Sequence, residues 1–110
     1  MNNRIIILLL GVAALLAFTL SGCDTSADRE LKRAEEALNK ALRIGADANA
    51  TEDYVKAEGL LVEAQERAQK NEIAEARRLA IESKIIAEDA YRKAEERQKI
   101  IEHEMEKIGR

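Results

Sequence analysis

Gly45-Ala46-Asp47-Ala48-Asn49-Ala50-Thr51 is the one clear interruption in an otherwise helix-forming chain, and its reading decides the fold. The chain has no proline, and no stretch alternates with the period of two that a strand requires. Gly45 suits the position just past a helix end, where a positive φ is needed. Thr51 suits an N-cap, and Glu52 and Asp53 behind it favour the positive end of a helix dipole. Working outward, a first helix is expected from residue 28, with Asp28 as its cap, to about residue 44. A second is expected from residue 51 to about 70. Asn71 tolerates left-handed geometry and marks a tight turn. A third helix then runs from about residue 72 to 108, ahead of Gly109, and is roughly 55 Å long.

The apolar spacing says how these helices meet. Helix one places Ala27, Leu31, Ala34, Leu38 and Ala41 on one stripe, helix two Tyr54, Ala57, Leu61, Ala64 and Ala68, and helix three Ala76, Ala80, Ser83, Ala87 and Ala90. Each stripe steps alternately by three and four, the spacing of a coiled-coil seam. Folded up, down and up, the stripes give five layers: Ala27/Ala68/Ala76, Leu31/Ala64/Ala80, Ala34/Leu61/Ser83, Leu38/Ala57/Ala87 and Ala41/Tyr54/Ala90. All but the first combine one large residue with two small ones, as the matched volumes of a close-packed core require. Leu42, Leu60, Leu79 and Ile86 are expected to widen the seam at its flanks.

The expected fold is therefore all-α: an antiparallel up-down-up three-helix bundle with a long, protruding third helix. The alternative is a broken two-layer helical hairpin, with the first two helices end to end along the third. Leu31 separates the two. It lies near Ala64 and Ala80 in the bundle and near Met105 or Ile108 in the hairpin.

The remaining faces are charged. Glu36/Lys40, Glu63/Arg67, Glu66/Lys70, Glu88/Arg92, Asp89/Lys93 and Glu95/Lys99 all place acid before base at i,i+4. Each such pair is worth about 0.2–0.5 kcal/mol on an exposed helix, so the charge reads as a solvated surface. The two signs are interleaved, and no basic block suited to nucleic acid stands out.

The first residues have a separate logic. Arg4 is followed by an apolar run over residues 5–20 and then by Leu20-Ser21-Gly22-Cys23. A basic start, an apolar middle and small residues at a cut site are the anatomy of a secretory signal. Sixteen apolar residues are short of the about 20 that cross a bilayer. A cysteine directly after Leu-Ser-Gly resembles the lipobox of bacterial lipoproteins. That resemblance implies removal of residues 1–22 and acylation of Cys23, with fatty chains such as palmitate, on its sulfur and new amino group. Residues 23–27 then form a tether and residues 28–110 an alanine-rich helical domain. The expected location is the cell envelope, facing the periplasm, with inner and outer membrane as alternatives. Of the 18 Lys and Arg in the chain, only Arg4 lies in the signal, so 17 remain against 21 Asp and Glu, a formal charge of −4. Cys23 is the sole cysteine, so stability rests on packing and not on disulfides.

The segment after Cys23 resembles the small alanine-rich bacterial lipoproteins grouped as domain of unknown function 4398. The similar motifs are Ala34-Glu35-Glu36-Ala37-Leu38, Gly45-Ala46, Ala57-Glu58-Gly59-Leu60-Leu61 and Glu75-Ala76-Arg77-Arg78-Leu79-Ala80. The resemblance implies a helical envelope lipoprotein and assigns it no chemistry.

No catalytic constellation appears, so no enzyme activity, cofactor, metal or small-molecule substrate is expected. His103 is the sole histidine; with Glu106 it offers a metal too few converging ligands. Ser83 lies on the alanine seam with no base beside it, which fits a small packing residue better than a nucleophile. Gly59, mid-helix, either allows close helix contact or is merely tolerated. Two apolar features stand outside the layers. Ile81 and Ile85 form an i,i+4 pair opposite the seam. Ala94, Ile101, Met105 and Ile108 extend a seam-like stripe beyond about residue 92, where the shorter helices leave it without a partner, and Ile100 lies beside it. Ile100, Ile101, Met105 and Ile108 are the candidate interface. The expected role is structural or protein-interacting, through helix contact with a second copy or another envelope protein. The alternative is an oligomeric coiled-coil spacer similar in role to murein lipoprotein. That family attaches through a terminal lysine, where this chain has Lys107-Ile108-Gly109-Arg110.

Overall fold

The computed structural model describes residues 26–109, so residues 1–22, read above as an expected signal, and Cys23 lie outside the described residues. Four helices follow one another: α1 Asp28–Arg43, α2 Ala46–Asn49, α3 Thr51–Gln69 and α4 Ile73–Ile108. Helix α4 is the spine. Both α1 and α3 pack along it and meet each other less extensively.

The chain direction is fixed at both ends of the bundle. At the start of α4, the Arg77 guanidinium donates from Nη2 to the Ser26 carbonyl oxygen at 3.0 Å and faces Glu30 at 3.9 Å. Further along α4, Gln98 Nε2 donates to the Ile44 carbonyl oxygen at 3.0 Å, and Lys93 pairs with Asp53 at the start of α3. Helices α1 and α4 therefore run parallel, with α3 antiparallel to both. This is the up-down-up bundle. Leu31 packs on the core cluster that contains Ala64 and Ala80, which excludes the broken hairpin.

Every residue of the five expected layers is buried or half-buried. Leu38, Leu61 and Leu79 are the buried large side chains, set among alanines that are almost wholly excluded from solvent. Each fully buried leucine contributes about 1.5–3 kcal/mol, so a few residues carry much of the hydrophobic stabilisation. Ser83 is buried as a packing residue and also donates from its hydroxyl to the Ala57 carbonyl oxygen at 2.7 Å, tying α4 to α3. Leu60 and Ile86 flank the core as expected, but Leu42 does not. It is 46 % exposed, because its position turns it away from α4.

Both turns rest on left-handed residues. Gly45 has φ 80° and Asn71 has φ 60°. At Asn71 the backbone N–H of Glu72 bonds the Arg67 carbonyl oxygen and that of Asn71 bonds the Ala68 carbonyl oxygen, at 2.9 and 3.0 Å. These two bonds make a Schellman end, satisfying carbonyls that the last turn of a helix leaves open.

The first interruption differs from expectation. Residues 46–49 close into a single helical turn, and Ala46 within it is fully buried against Ala41, Ala90 and Ala94. Thr51 is the first residue of α3 and caps no N–H group. Its hydroxyl instead donates backward to the carbonyl oxygens of Asp47 and Ala48, at 2.8 and 3.3 Å, and so closes the end of α2. Asp28 likewise stands inside α1 as a first-turn acid, with Ala27 in the capping position. The surface pairs also rearrange. Glu63–Arg67 forms at 3.9 Å, but Arg92 takes Asp89 at i,i+3 and Lys93 takes Asp53 on α3. A bond to another helix replaces the local pair because the bundle brings Asp53 within reach of the long lysine stem.

Candidate functional site

The end of α4 is built from residues that hold a helix without tertiary support. Residues 95–108 are mostly Glu, Lys, Arg, Gln, Ile and Met, and most of these have high helix propensity. The helix stops at Gly109, whose φ of −72° keeps it near helical geometry, so no left-handed cap is used here. Lys107 and Glu104 pair at i,i+3, 3.4 Å apart.

The bundle ends in a step. Ala94 is fully buried, so the unsupported part of α4 begins later than the expected residue 92. Ala46 in α2 adds a sixth layer that covers it. Gln98, bonded to Ile44, marks the last contact with α1. Beyond it all described residues to 109 are exposed. Ile101, Met105 and Ile108 are 46 %, 66 % and 84 % exposed.

These three residues continue in register the buried series Ala87, Ala90 and Ala94. A step of seven leads from Ala94 to Ile101, then four to Met105 and three to Ile108. Because the spacing keeps one face, the stripe looks toward the side that α1 and α3 occupy lower down. The result is a notch, with an apolar helix face as its floor and the end of the α1–α2–α3 layer as its wall. Arg97 and Glu104 lie along one flank of the stripe and Glu102 along the other. Ile100 falls about 100° away from Ile101 and is exposed off the stripe. Of the four expected interface residues, three share one face and Ile100 does not.

Other features are less developed. A groove of about 310 Å³ between α1 and α4 is lined by charged side chains of both signs, with Lys40 Nζ 4.7 Å from the centre of the Tyr91 ring. This Lys40–Tyr91 contact has no periodic signature, and the seam pattern does not reveal it. Ile81 and Ile85 are exposed as an isolated pair, and His103 is exposed on the arm. Among the described residues no three His, Cys, Asp or Glu side chains converge on a point that would hold a metal. No helix among them is long and apolar enough to cross a membrane. Charged clusters on the surface are electrostatically ordered. The Arg78 guanidinium bonds Glu75 and holds its carboxyl below the ordinary range, and the bond to Asp53 pushes the Lys93 ammonium up.

Comparison of the chain with protein-family models, curated proteins and solved structures finds no match. The resemblance to domain of unknown function 4398 therefore rests on the motifs quoted above.

Proposed function

We propose that the chain is a lipid-anchored bacterial envelope protein of the type resembled by domain of unknown function 4398, working through helix–helix contact and not through catalysis. One observation carries this reading: the unpartnered apolar stripe of α4 lies at the end of the bundle opposite Ser26. In the proposal, lipids on Cys23 hold the base of the bundle at a membrane. Ser26 is clasped by Arg77, and the three residue-to-residue steps from Cys23 to Ser26 span about 10 Å at most. The base then stays close to the bilayer and the arm points away from it.

The spacer reading is less well supported. A coiled-coil spacer needs its seam free for neighbouring copies along much of its length. Here α1, α2 and α3 occupy the seam of α4 from Ala76 to Ala94, leaving only the arm available.

Two measurements test the proposal. Intact mass of detergent-extracted protein should show a diacyl or triacyl chain beginning at Cys23; a free thiol with residues 1–22 retained would falsify the anchor. A photo-crosslinking residue placed at Ile101 or Ile108 should capture a protein partner in the envelope, while the same residue at Glu88 should not. Equal capture at the two places would remove the arm's role.

A further inference from the structure

We propose that the groove between α1 and α4 binds a linear glycan that carries carboxylates along its chain. The site lies on the side of the bundle and is independent of the arm. Shape, charge and the remaining lining lead to it.

The groove is longer than one hollow. The space of about 310 Å³ described above adjoins a second of about 420 Å³, and Lys40 and Tyr91 line both. Together they reach from Arg33 to Ile44 on α1, a rise of about 16 Å. A chain suits this shape better than a compact molecule does.

Charge along the groove is uneven. Lys84 pairs with Glu88 at 3.6 Å. Among the described residues, Arg33, Lys40 and Arg43 form no ion pair. Glu36 stands one turn before Lys40, yet the Lys40 ammonium lies over the Tyr91 ring instead. Beyond the Lys84–Glu88 pair, the lining therefore sets three cations against Glu36 alone. The second hollow has no acid in its lining, and Glu95, a turn past Tyr91, stands outside it. A chain of net charge −3 thus keeps a local surplus of positive charge here. Lys40 and Arg43 also suit the negative end of the α1 dipole, but Arg33 is too far from that end to gain from it. Glu36 and Glu88 favour spaced, singly charged anions over the dense charge of a polyphosphate or a nucleic acid.

The rest of the lining suits a sugar ring, which has an apolar C–H face and hydroxyls around its edge. Ala37, Ile44 and Tyr91 offer apolar surface to that face. Gln98 donates Nε2 to the Ile44 carbonyl oxygen, which leaves its Oε1 to accept from a hydroxyl. Lys40 and Arg43 beside it bond a carboxylate with charge assistance, and Arg33 takes another further along the chain. An acidic peptide fits less well. Extended peptides draw affinity from a sheet edge and helical ones from rows of apolar anchors. The groove has no edge, and those three residues are all its apolar lining.

The test uses the full chain in a polyoxyethylene detergent, which carries no sugar, at low salt where exposed charges act. With Tyr54→Phe, Tyr91 is the sole aromatic fluorophore beside Phe residues, since the chain has no tryptophan. Tetragalacturonate should change Tyr91 emission saturably, and galacturonate should bind about tenfold more weakly for want of two exposed charge contacts. Maltotetraose, uncharged, should leave the emission unchanged. Lys40→Gln with Arg43→Gln should weaken tetragalacturonate about tenfold. Lys56→Gln with Lys70→Gln, on and just after α3, removes the same charge elsewhere and should leave binding as it was. No response to tetragalacturonate up to about 10 mM would overturn the site. Equal loss in the two double variants would overturn its location, because net charge alone would then explain binding. A monomer that binds as tightly as the tetramer would overturn the chain, and tetraglutamate binding as tightly as tetragalacturonate would overturn the sugar.

Discussion

Leu38 shows how much one side chain carries in a core made largely of alanine. It packs with Ala34, Ala57 and Ala87 in the main cluster, so Leu38→Ala leaves its layer with small residues only. The expected loss is about 2–3 kcal/mol, at the low end for such truncations because an alanine-lined site collapses readily. Thermal melts would read it, and an unchanged midpoint would mean that Leu38 is not supporting the core. Gly59 gives the opposite case. Apart from its own stretch of helix backbone, no atom lies within 4 Å of a side-chain carbon added there, so Gly59→Ala should stabilise the protein by roughly 0.5–1 kcal/mol through helix propensity alone. Sequence reading left Gly59 open, because propensity is visible in one dimension and free space is not. Tyr54 supplies a pH signature. Burial pushes its phenol above the ordinary 10.0, with Glu58 and Asp47 adding to the effect. A phenol raised in the folded state contributes stability that is complete below 10 and is lost as pH rises through the higher folded value. In a Tyr91→Phe variant, tyrosinate absorbance should titrate above 10 and the melting midpoint should fall over the same range.

Among the elements, the long periodic helices were legible and the short one was not. The seam stripes recur over several turns, and each apolar position is reinforced by the next, so periodicity alone recovers the layers. Helix α2 has no such repetition. Four residues are too few to nucleate a helix by propensity. Ala46 becomes helical because its methyl group closes the layer over Ala94, a contact between residues far apart in sequence. Thr51 was misread for a related reason: a hydroxyl at a boundary between two helices serves either one, and here it bonds backward. Asn71 was legible, since few residues other than glycine accept its φ of 60°. Asn71→Gly should therefore leave stability nearly unchanged, whereas Asn71→Val should cost about 1–2 kcal/mol through the β-branched clash. Urea unfolding of the two variants side by side is the measurement, and equal midpoints would mean that the turn does not depend on left-handed geometry.

At the scale of the whole molecule, α4 divides into a part that makes the fold and a part that does not. Ile101→Glu with Ile108→Glu should leave the melting midpoint of the bundle within about 0.5 kcal/mol of wild type, as for surface substitutions away from packed features. General unfolding would mean that the arm belongs to the core. The clasp between Arg77 and Ser26 gives this division a mechanical meaning. A pull on the arm tip, resisted at the N-terminal end of α1, runs in opposite directions along two parallel helices. The load enters α1 at its base and α4 at its far end, so it slides the two past each other instead of peeling them apart. Many seam contacts and both end bonds must then yield together. The protein should accordingly withstand stretching between these two points better than between the base of α1 and the Asn71 turn, where contacts open one after another, and the difference would appear as a slower forced-unfolding rate.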